Sequence, residues 1–304
     1  MEHADKSQVF FSIVIPCYNA SNSLAITLDS LYEQKFKDFE VVIVDDCSAD
    51  RDETRKVISK EKYSRLNITF YSFDENKNGA AARNKAVSLS KGRYICFLDA
   101  DDSWSDNKLD VFFDVVKKYK ETDRVLFYSK VLVIADGMSV GVRPERAIYD
   151  NESVSEYLFA RQGFMQTSSL VISRVNTNVL YFNEIFRRHQ DFEYCIKAQA
   201  LKFKFVMIDE ALTNYLTSFE HKQKSKESVS YSIFWLRNMT KYMSKKEREC
   251  FKAYMLPSRY KMEGRVIAGV FCFLCHLPFT GMKNISHNIK RNIKKIRWAS
   301  SVFN

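Results

Sequence analysis

A chain of 304 residues, 46% hydrophobic and 14% aromatic, can bury a sizeable core in about two domains, or in one large α/β domain with an appendage. Only 8 Gly and 4 Pro exclude collagen-like, linker-rich and low-complexity chains. The net charge of +10 points to anionic partners without choosing among nucleic acid, lipid and phosphorylated substrates, and the 7 cysteines, without framework spacing, read as reduced cytosolic thiols.

The first apolar run lacks a basic region before it and ends at Pro16, so it does not read as a secretory signal. Residues 10–15 (FFSIVI) predict a first strand, 40–44 (EVVIV) a second, 67–73 a third and 94–98 (YICFL) a fourth. Helices are expected between and after them. Leu24, Leu28 and Leu31 recur at helical spacing, residues 80–89 are Ala-rich, and Leu109, Phe112, Phe113, Val116 and Tyr119 mark a later helix. Further strands are expected at 125–135, 169–173 and 203–208, with a helix at 191–201, and the chain is basic and helical from about 218.

Continuously apolar strands alternating with helices predict a parallel α/β sheet, in which ligands bind at the carboxyl ends of the strands. Here those ends carry Pro16-Cys17-Tyr18-Asn19, Asp45-Asp46, Asp74-Glu75-Asn76 and the DADD of residues 99–102. Carboxylates gathered on one edge repel unless a cation or hydrogen-bond donors neutralise them, which points to a metal or ligand site.

Asp99-Ala100-Asp101 suits Mg2+ or Mn2+, which takes one or two carboxylates and completes its shell with diphosphate oxygens and water. Acidic pairs also make turns and helix caps, so the motif alone is not decisive. Asp46 offers a carboxylate to a base N–H or a ribose hydroxyl, or forms a turn. Residues 76–84 open a helix with small side chains that admit a ligand closely, and Arg83 lies one turn inside, facing a base, a phosphate or solvent. The glycine spacing of P-loops and dinucleotide fingerprints is absent.

SIVIPCYNA, VVIVDDCSAD, NKNGAAARNKA and ICFLDADD, in that order, resemble the nucleotide-sugar-binding half of glycosyltransferase family 2, and the resemblance covers roughly residues 10–215. It implies an α/β GT-A fold with a mostly parallel central sheet: a catalytic domain at 8–216, divided into a nucleotide-sugar half (8–122) and an acceptor half (123–216), followed by a helical region at 217–304. It also implies inverting, Mn2+- or Mg2+-dependent transfer of one sugar from a nucleoside diphosphate sugar, most often UDP-linked. Matched by motif, Pro16, Tyr18 and Asn19 line the nucleotide pocket, Asp46 reads the base, and Asn78 and Arg83 contact the nucleotide. Asp99 approaches the ribose or metal, Ala100 lies beside it, and Asp101 ligates the metal through the diphosphate.

The family usually draws its base from an acidic pair, often Glu-Asp, at a helix start in the second half. Gln190-Asp191 stands in that place, which makes Asp191 the expected base, with Glu193 and His189 as rivals and an N-cap as the plain alternative. Thr167 and Ser168 resemble the acceptor-side segment, with His189 a further acceptor contact; a simple strand entry is the alternative.

Lys283, Lys290, Arg291, Lys294, Lys295 and Arg297 put six positive charges and no acid into residues 283–304, and Ile285, Ile289, Ile293 and Ile296 share one helical face. That pattern predicts a basic amphipathic helix on an anionic membrane surface, or a solvated helix packed on the domain. The apolar run before it, residues 266–282, is at or below the length needed to span a bilayer, and its Cys272–His276 part reads as core. Arg297-Trp298 matches the end of the processive synthases' motif without its Gln and reads as chance. The expected protein is cytoplasmic and peripheral at the inner face of the cell membrane, and the family resemblance implies that it acts on a glycan or lipid-linked glycan in O-antigen, capsule or lipopolysaccharide assembly. The alternatives are a sugar nucleotidyltransferase, whose Gly-rich basic loop is missing here, and a sugar-nucleotide-binding protein without activity. Nucleic acid is not an expected partner, because the charge concentrates in the tail while the sheet edge is acidic.

Overall fold

The computed structural model describes residues 9–217, 228–282 and 284–286; the expected amphipathic helix therefore lies almost wholly outside the described residues. The chain divides into two compact units. One holds the described residues up to Ala147 and those from Met165 to 217; the other holds Ile148–Phe164 and the described residues from 228 onward. The family resemblance implies residues 148–164 in the catalytic domain, whereas the structure groups them with the C-terminal helices.

The first unit is built on one sheet. Strands β1 (Phe11–Cys17), β2 (Phe39–Asp45), β3 (Ile68–Ser72) and β4 (Tyr94–Phe97) run parallel in the order β3-β2-β1-β4, with Ile13 beside Val41 and Cys96. The sheet continues through strands of mixed direction. These are β5 (Ser103–Trp104), β6 (Val125–Ala135), β7 (Met138–Arg143), β8 (Leu170–Ser173) and β9 (Lys204–Thr217), in the spatial order β4-β8-β6-β9-β5 with β7 as a hairpin on β6.

Both faces of β1 and β2 are covered, which is why these strands read as nearly continuous apolar runs, with Ser12 donating to the buried Glu40 at 2.6 Å. Phe11, Ile13, Ile15, Val41 and Ile43 join Leu24, Leu28 and Leu31 of α1 (Leu24–Tyr32) and Leu109 and Phe112 in one buried cluster. On the chain's way between β2 and β3 lies α2 (Arg51–Ile58), unforeseen because its side toward the core is short: Thr54 is buried and only Val57 and Ile58 pack there as apolar residues. Against β1 and β2 packs α3 (Gly79–Leu89), whose Ala80, Ala81, Ala82 and Ala86 are buried and allow close approach. Leu109 and Phe112 belong to α4 (Lys108–Val116). In α5 (Gln190–Ala200), Tyr194 stacks on Phe182 with ring centroids 4.3 Å apart.

In the second unit, α6 (Val229–Met239), α7 (Lys245–Tyr254), α8 (Leu256–Met262) and α9 (Val266–His276) accompany a π-helical turn at Glu156–Ala160. Trp235 stacks on Phe251 at 5.0 Å and Phe159 meets Phe251 edge-on at 5.1 Å, forming this unit's centre. A capping box of Ser244 and Glu247 starts α7. The expectation that residues 272–276 are core is corrected: Leu274 and Cys275 are exposed, because only the opposite side of α9 packs on its neighbours. Among the described residues no helix is long and apolar enough to cross a membrane.

Candidate active site

The ends of β1, β2 and β4 and the start of α3 enclose a cavity of about 500 Å3. Its walls include Pro16, Tyr18, Asn19, Asp46, Arg83, Asp99, Ala100 and Asp101, so separate sequence motifs converge on one place. Tyr18 lines the cavity and leaves 55% of its surface open. Sequence reasoning missed Arg187, which also lines the cavity; the signal was the dibasic Arg187-Arg188 just ahead of α5.

Asp46 is more constrained than a free base-reading carboxylate. Its oxygens accept hydrogen bonds from the Lys77 N–H at 2.6 Å, the Asn78 N–H at 2.8 Å and the Asn76 side-chain amide at 2.8 Å. The carboxylate thus fixes the loop that enters α3. Asn78, expected at the nucleotide, does not line the cavity. It sits at φ 87°, a conformation Asn tolerates, and its Oδ1 accepts from the Ala80 N–H at 2.8 Å, capping α3.

Arg83 is buried and divides its guanidinium. Nη2 is ion-paired with Asp99 Oδ1, Nη1 donates to Gln190 Oε1 at 2.6 Å, and the charge lies 5.3 Å from the Phe182 ring centre. Gly79 permits this arrangement, since a Cβ there would meet Arg83 Nη1 at 3.2 Å and Gln190 Oε1 at 3.4 Å.

The third aspartate of DADD turns inward. Asp102 is fully buried and accepts from Ser168 Oγ at 2.5 Å, Gln166 Nε2 at 2.7 Å and the Leu216 N–H at 3.1 Å. Burial, reinforced by the charges of Asp99 and Asp101, pushes its carboxyl well above the usual range. Ser168 Oγ also accepts from the Asp99 N–H at 2.9 Å, while its carbonyl accepts from Lys108 Nζ at 2.8 Å and Trp104 Nε1 at 2.9 Å. The expected acceptor contact at Ser168 is therefore corrected: the residue is fully buried and braces the carboxylate loop. Thr167 is buried as well, as the strand-entry alternative requires. His189, the expected acceptor contact, is instead buried at the N-cap of α5, where it adopts φ 58° and stacks on Phe192 at 5.4 Å.

Asp191 occupies the second position of α5, half-buried, and its Oδ1 accepts from the Phe192 N–H at 2.9 Å. The helix begins at His189 without a side-chain cap, so Asp191 is not the N-cap. Burial raises its carboxyl to about 6, the Asp99 charge adds to the rise, and Arg83 opposes it. A carboxylate so tuned holds a proton acceptor's place near neutral pH.

For a divalent cation, the exposed Asp101 and the half-buried Asp99 are the hard oxygen donors at the cavity. Among the described residues no three His, Cys, Asp or Glu side chains group to hold a metal. The donor set therefore fits a Mg2+ or Mn2+ ion that takes most of its shell from phosphate and water, and does not fit an all-protein cage.

The family described as Glycosyl transferase family 2 matches residues 12–189. The chain is 42% identical to the amylovoran biosynthesis glycosyltransferase AmsB of Erwinia amylovora, over 95% of this chain and 97% of that one. It is 36% identical to the UDP-Glc:alpha-D-GlcNAc-diphosphoundecaprenol beta-1,3-glucosyltransferase WfaP of Escherichia coli, over 43% of this chain and 49% of that one. The fold resembles S. aureus TarS 1-349 crystallised with UDP-GlcNAc, with a TM-score of 0.60 at 17% identity over 88% of this chain and 81% of that chain.

Proposed function

Because the chain belongs to glycosyltransferase family 2, we propose that it moves one sugar from a UDP-sugar to a hydroxyl of a lipid-linked glycan in surface-polysaccharide assembly, inverting the anomeric centre. The observation carrying this reading is the cavity in which Tyr18, Asp46, Arg83, Asp99 and Asp101 meet, joined through Gln190 to the helix start that bears Asp191. The names of AmsB and WfaP support a glycan acceptor and a UDP-linked donor.

In this mechanism the Tyr18 ring faces the base, beside Pro16 and Asn19. Arg83 and Arg187 offset the charge that develops on the departing diphosphate. Asp101 and Asp99 would hold Mn2+ or Mg2+, which when bound supplies further electrostatic stabilisation of that leaving group. Asp191 accepts the proton of the acceptor hydroxyl. Even raised to about 6, its carboxylate is a weak base for an alcohol, so the proton moves late, as the new C–O bond acidifies the hydroxyl. The acceptor attacks from the face opposite the diphosphate, which inverts configuration. The basic segment 283–304 supports peripheral placement on the cytoplasmic face of the membrane.

Thermal melting with UDP, GDP, dTDP and CDP, each with and without Mn2+, tests the donor part. The expected result is stabilisation by UDP that depends on metal and disappears in Asp101→Ala. No shift with any nucleoside diphosphate would overturn the assignment.

A further inference from the structure

We propose that the exposed side of α9 is a bilayer contact, laid flat in the interface of an anionic membrane with Ile267, Val270, Phe271 and Leu274 among the acyl chains. The proposal rests on the peripheral placement above and moves the contact from the charge of the tail to a specific helix face.

The inner side of α9 is settled by contacts. Gly269 lies so close to α8 that a Cβ would meet the Pro257 carbonyl at 3.0 Å and Tyr260 Cβ at 3.2 Å. Cys272 Sγ reaches the Lys252 carbonyl at 3.6 Å, and His276 Nδ1 pairs with Glu249 at 2.5 Å. Among the described residues the outer side has no such cover. Ile267 is 87% exposed and Phe271 69%, Val270 and Leu274 are more than half exposed, and Phe279 and Met282 continue the surface past the helix end. Isolated exposed apolar residues are ordinary, but a whole helix side of them marks an interaction surface.

The occupant follows from length and charge. At 11 residues the helix is only about 16 Å long, far short of the ~30 Å hydrocarbon core, so it can lie in the interface but not span it. Its exposed side carries no charge, and the sequence that follows, 283–304, has six Lys and Arg and no acid. Apolar residues followed by cations are the composition that anionic lipid surfaces take up. A second copy of the chain docked on the same side would bring two such basic segments together and repel.

The test is co-sedimentation of the full chain with vesicles of phosphatidylcholine alone or mixed with phosphatidylglycerol, at low and high salt. Wild type should pellet with the anionic vesicles and keep part of that binding at high salt, because apolar contact is not screened. Ile267→Ser/Phe271→Ser should lower partitioning by about tenfold or more and remove the salt-resistant part, while UDP–Mn2+ stabilisation stays as in wild type. Phe271→Trp, which keeps the surface apolar, should gain fluorescence quenching by brominated lipid beyond the native tryptophans. Binding that is wholly salt-sensitive and unchanged in the double variant would overturn the role of α9 while leaving the charged-tail reading intact. A dimer dispersed by the double variant, with vesicle binding unaffected, would make the face a self-interface and overturn the proposal. Vesicle binding without any UDP response would instead count against the donor-site assignment alone.

Discussion

Asp191→Asn separates proton transfer from binding and carries two opposite signs. Catalysis needs the ionised carboxylate, so transfer should rise as pH passes about 6 and level off above 7. At pH 5 only about a tenth of a group with that pKa is ionised. Stability runs the other way. The folded-state value lies above the ordinary 3.8, so the contribution of Asp191 to stability is fully present below about 3.8 and is lost as pH rises through about 6. The gap is equivalent to about 3 kcal/mol at 1.36 kcal/mol per pH unit. Partial exposure reduces this to about 1–2 kcal/mol, since water screens the group. Asn escapes that loss. The variant should therefore melt about 2–4 °C higher than wild type near pH 7.5 without metal, and equal to it near pH 4. In a sugar-transfer assay with UDP release as readout, it should lose about 10²- to 10⁴-fold in rate and keep UDP binding. A variant with more than a tenth of wild-type activity, a flat wild-type profile from pH 5 to 7, or a lower melting point at neutral pH would refute the reasoning.

Three further perturbations probe the surroundings. If Arg187 offsets the diphosphate charge as proposed, Arg187→Ala should raise KM for the donor by about tenfold, more than any change in kcat. Gln190→Glu places a carboxylate oxygen against the Phe186 carbonyl, to which the amide now donates at 2.6 Å; urea unfolding should show a loss of about 1–2 kcal/mol, and the activity midpoint should move above pH 6. Lys108 is fully buried, and burial lowers its ammonium to about 7 while Nζ donates to Ser168 and Thr213. Its depressed folded-state value means that wild type gains stability relative to Lys108→Met as pH rises from about 7 toward 10.5, a trend that melting curves can follow.

The parallel half of the sheet was legible because burial on both faces makes β1, β2 and β4 mostly apolar, with Ser12 and Glu40 buried against each other as exceptions, and the runs close on Pro16, Asp45 and Asp99. The cavity was legible for the same reason: strand ends are where the motifs fall. Side-chain direction was not. DADD reads as a row of equivalent carboxylates, yet Asp101 faces outward and Asp102 inward, a choice made by Ser168, Gln166 and the backbone of β9, all distant in sequence. Asp46 and Asn78 carry motif positions but spend their polar groups on the α3 entry, and local spacing gives no sign of that. In α2 the apolar side is limited to Val57 and Ile58 at its end, and in β7 the alternating Met138, Val140 and Val142 are exposed rather than buried, so neither gives the signal of a buried element.

The departure from the family's acidic pair is consistent with Asp191 as base once charges are placed. Asp99, Asp101 and Asp191 are set against Arg83 and Arg187 near the cavity. Arg83 ion-pairs with Asp99, and its other amine meets the uncharged Gln190. A glutamate at 190 would claim Arg83 as well and add a negative charge beside Asp191. A further unit charge about 6 Å away, at an effective dielectric of about 20, is worth at most about 3 kcal/mol, less the part that pairing with Arg83 cancels, and would push the Asp191 carboxyl further up. The amide avoids this. It accepts from Arg83 as a carboxylate would, and it also donates to the Phe186 carbonyl, fixing the turn before α5. In the proposed mechanism position 190 therefore orients while position 191 accepts the proton, and only the second of those tasks requires an acid.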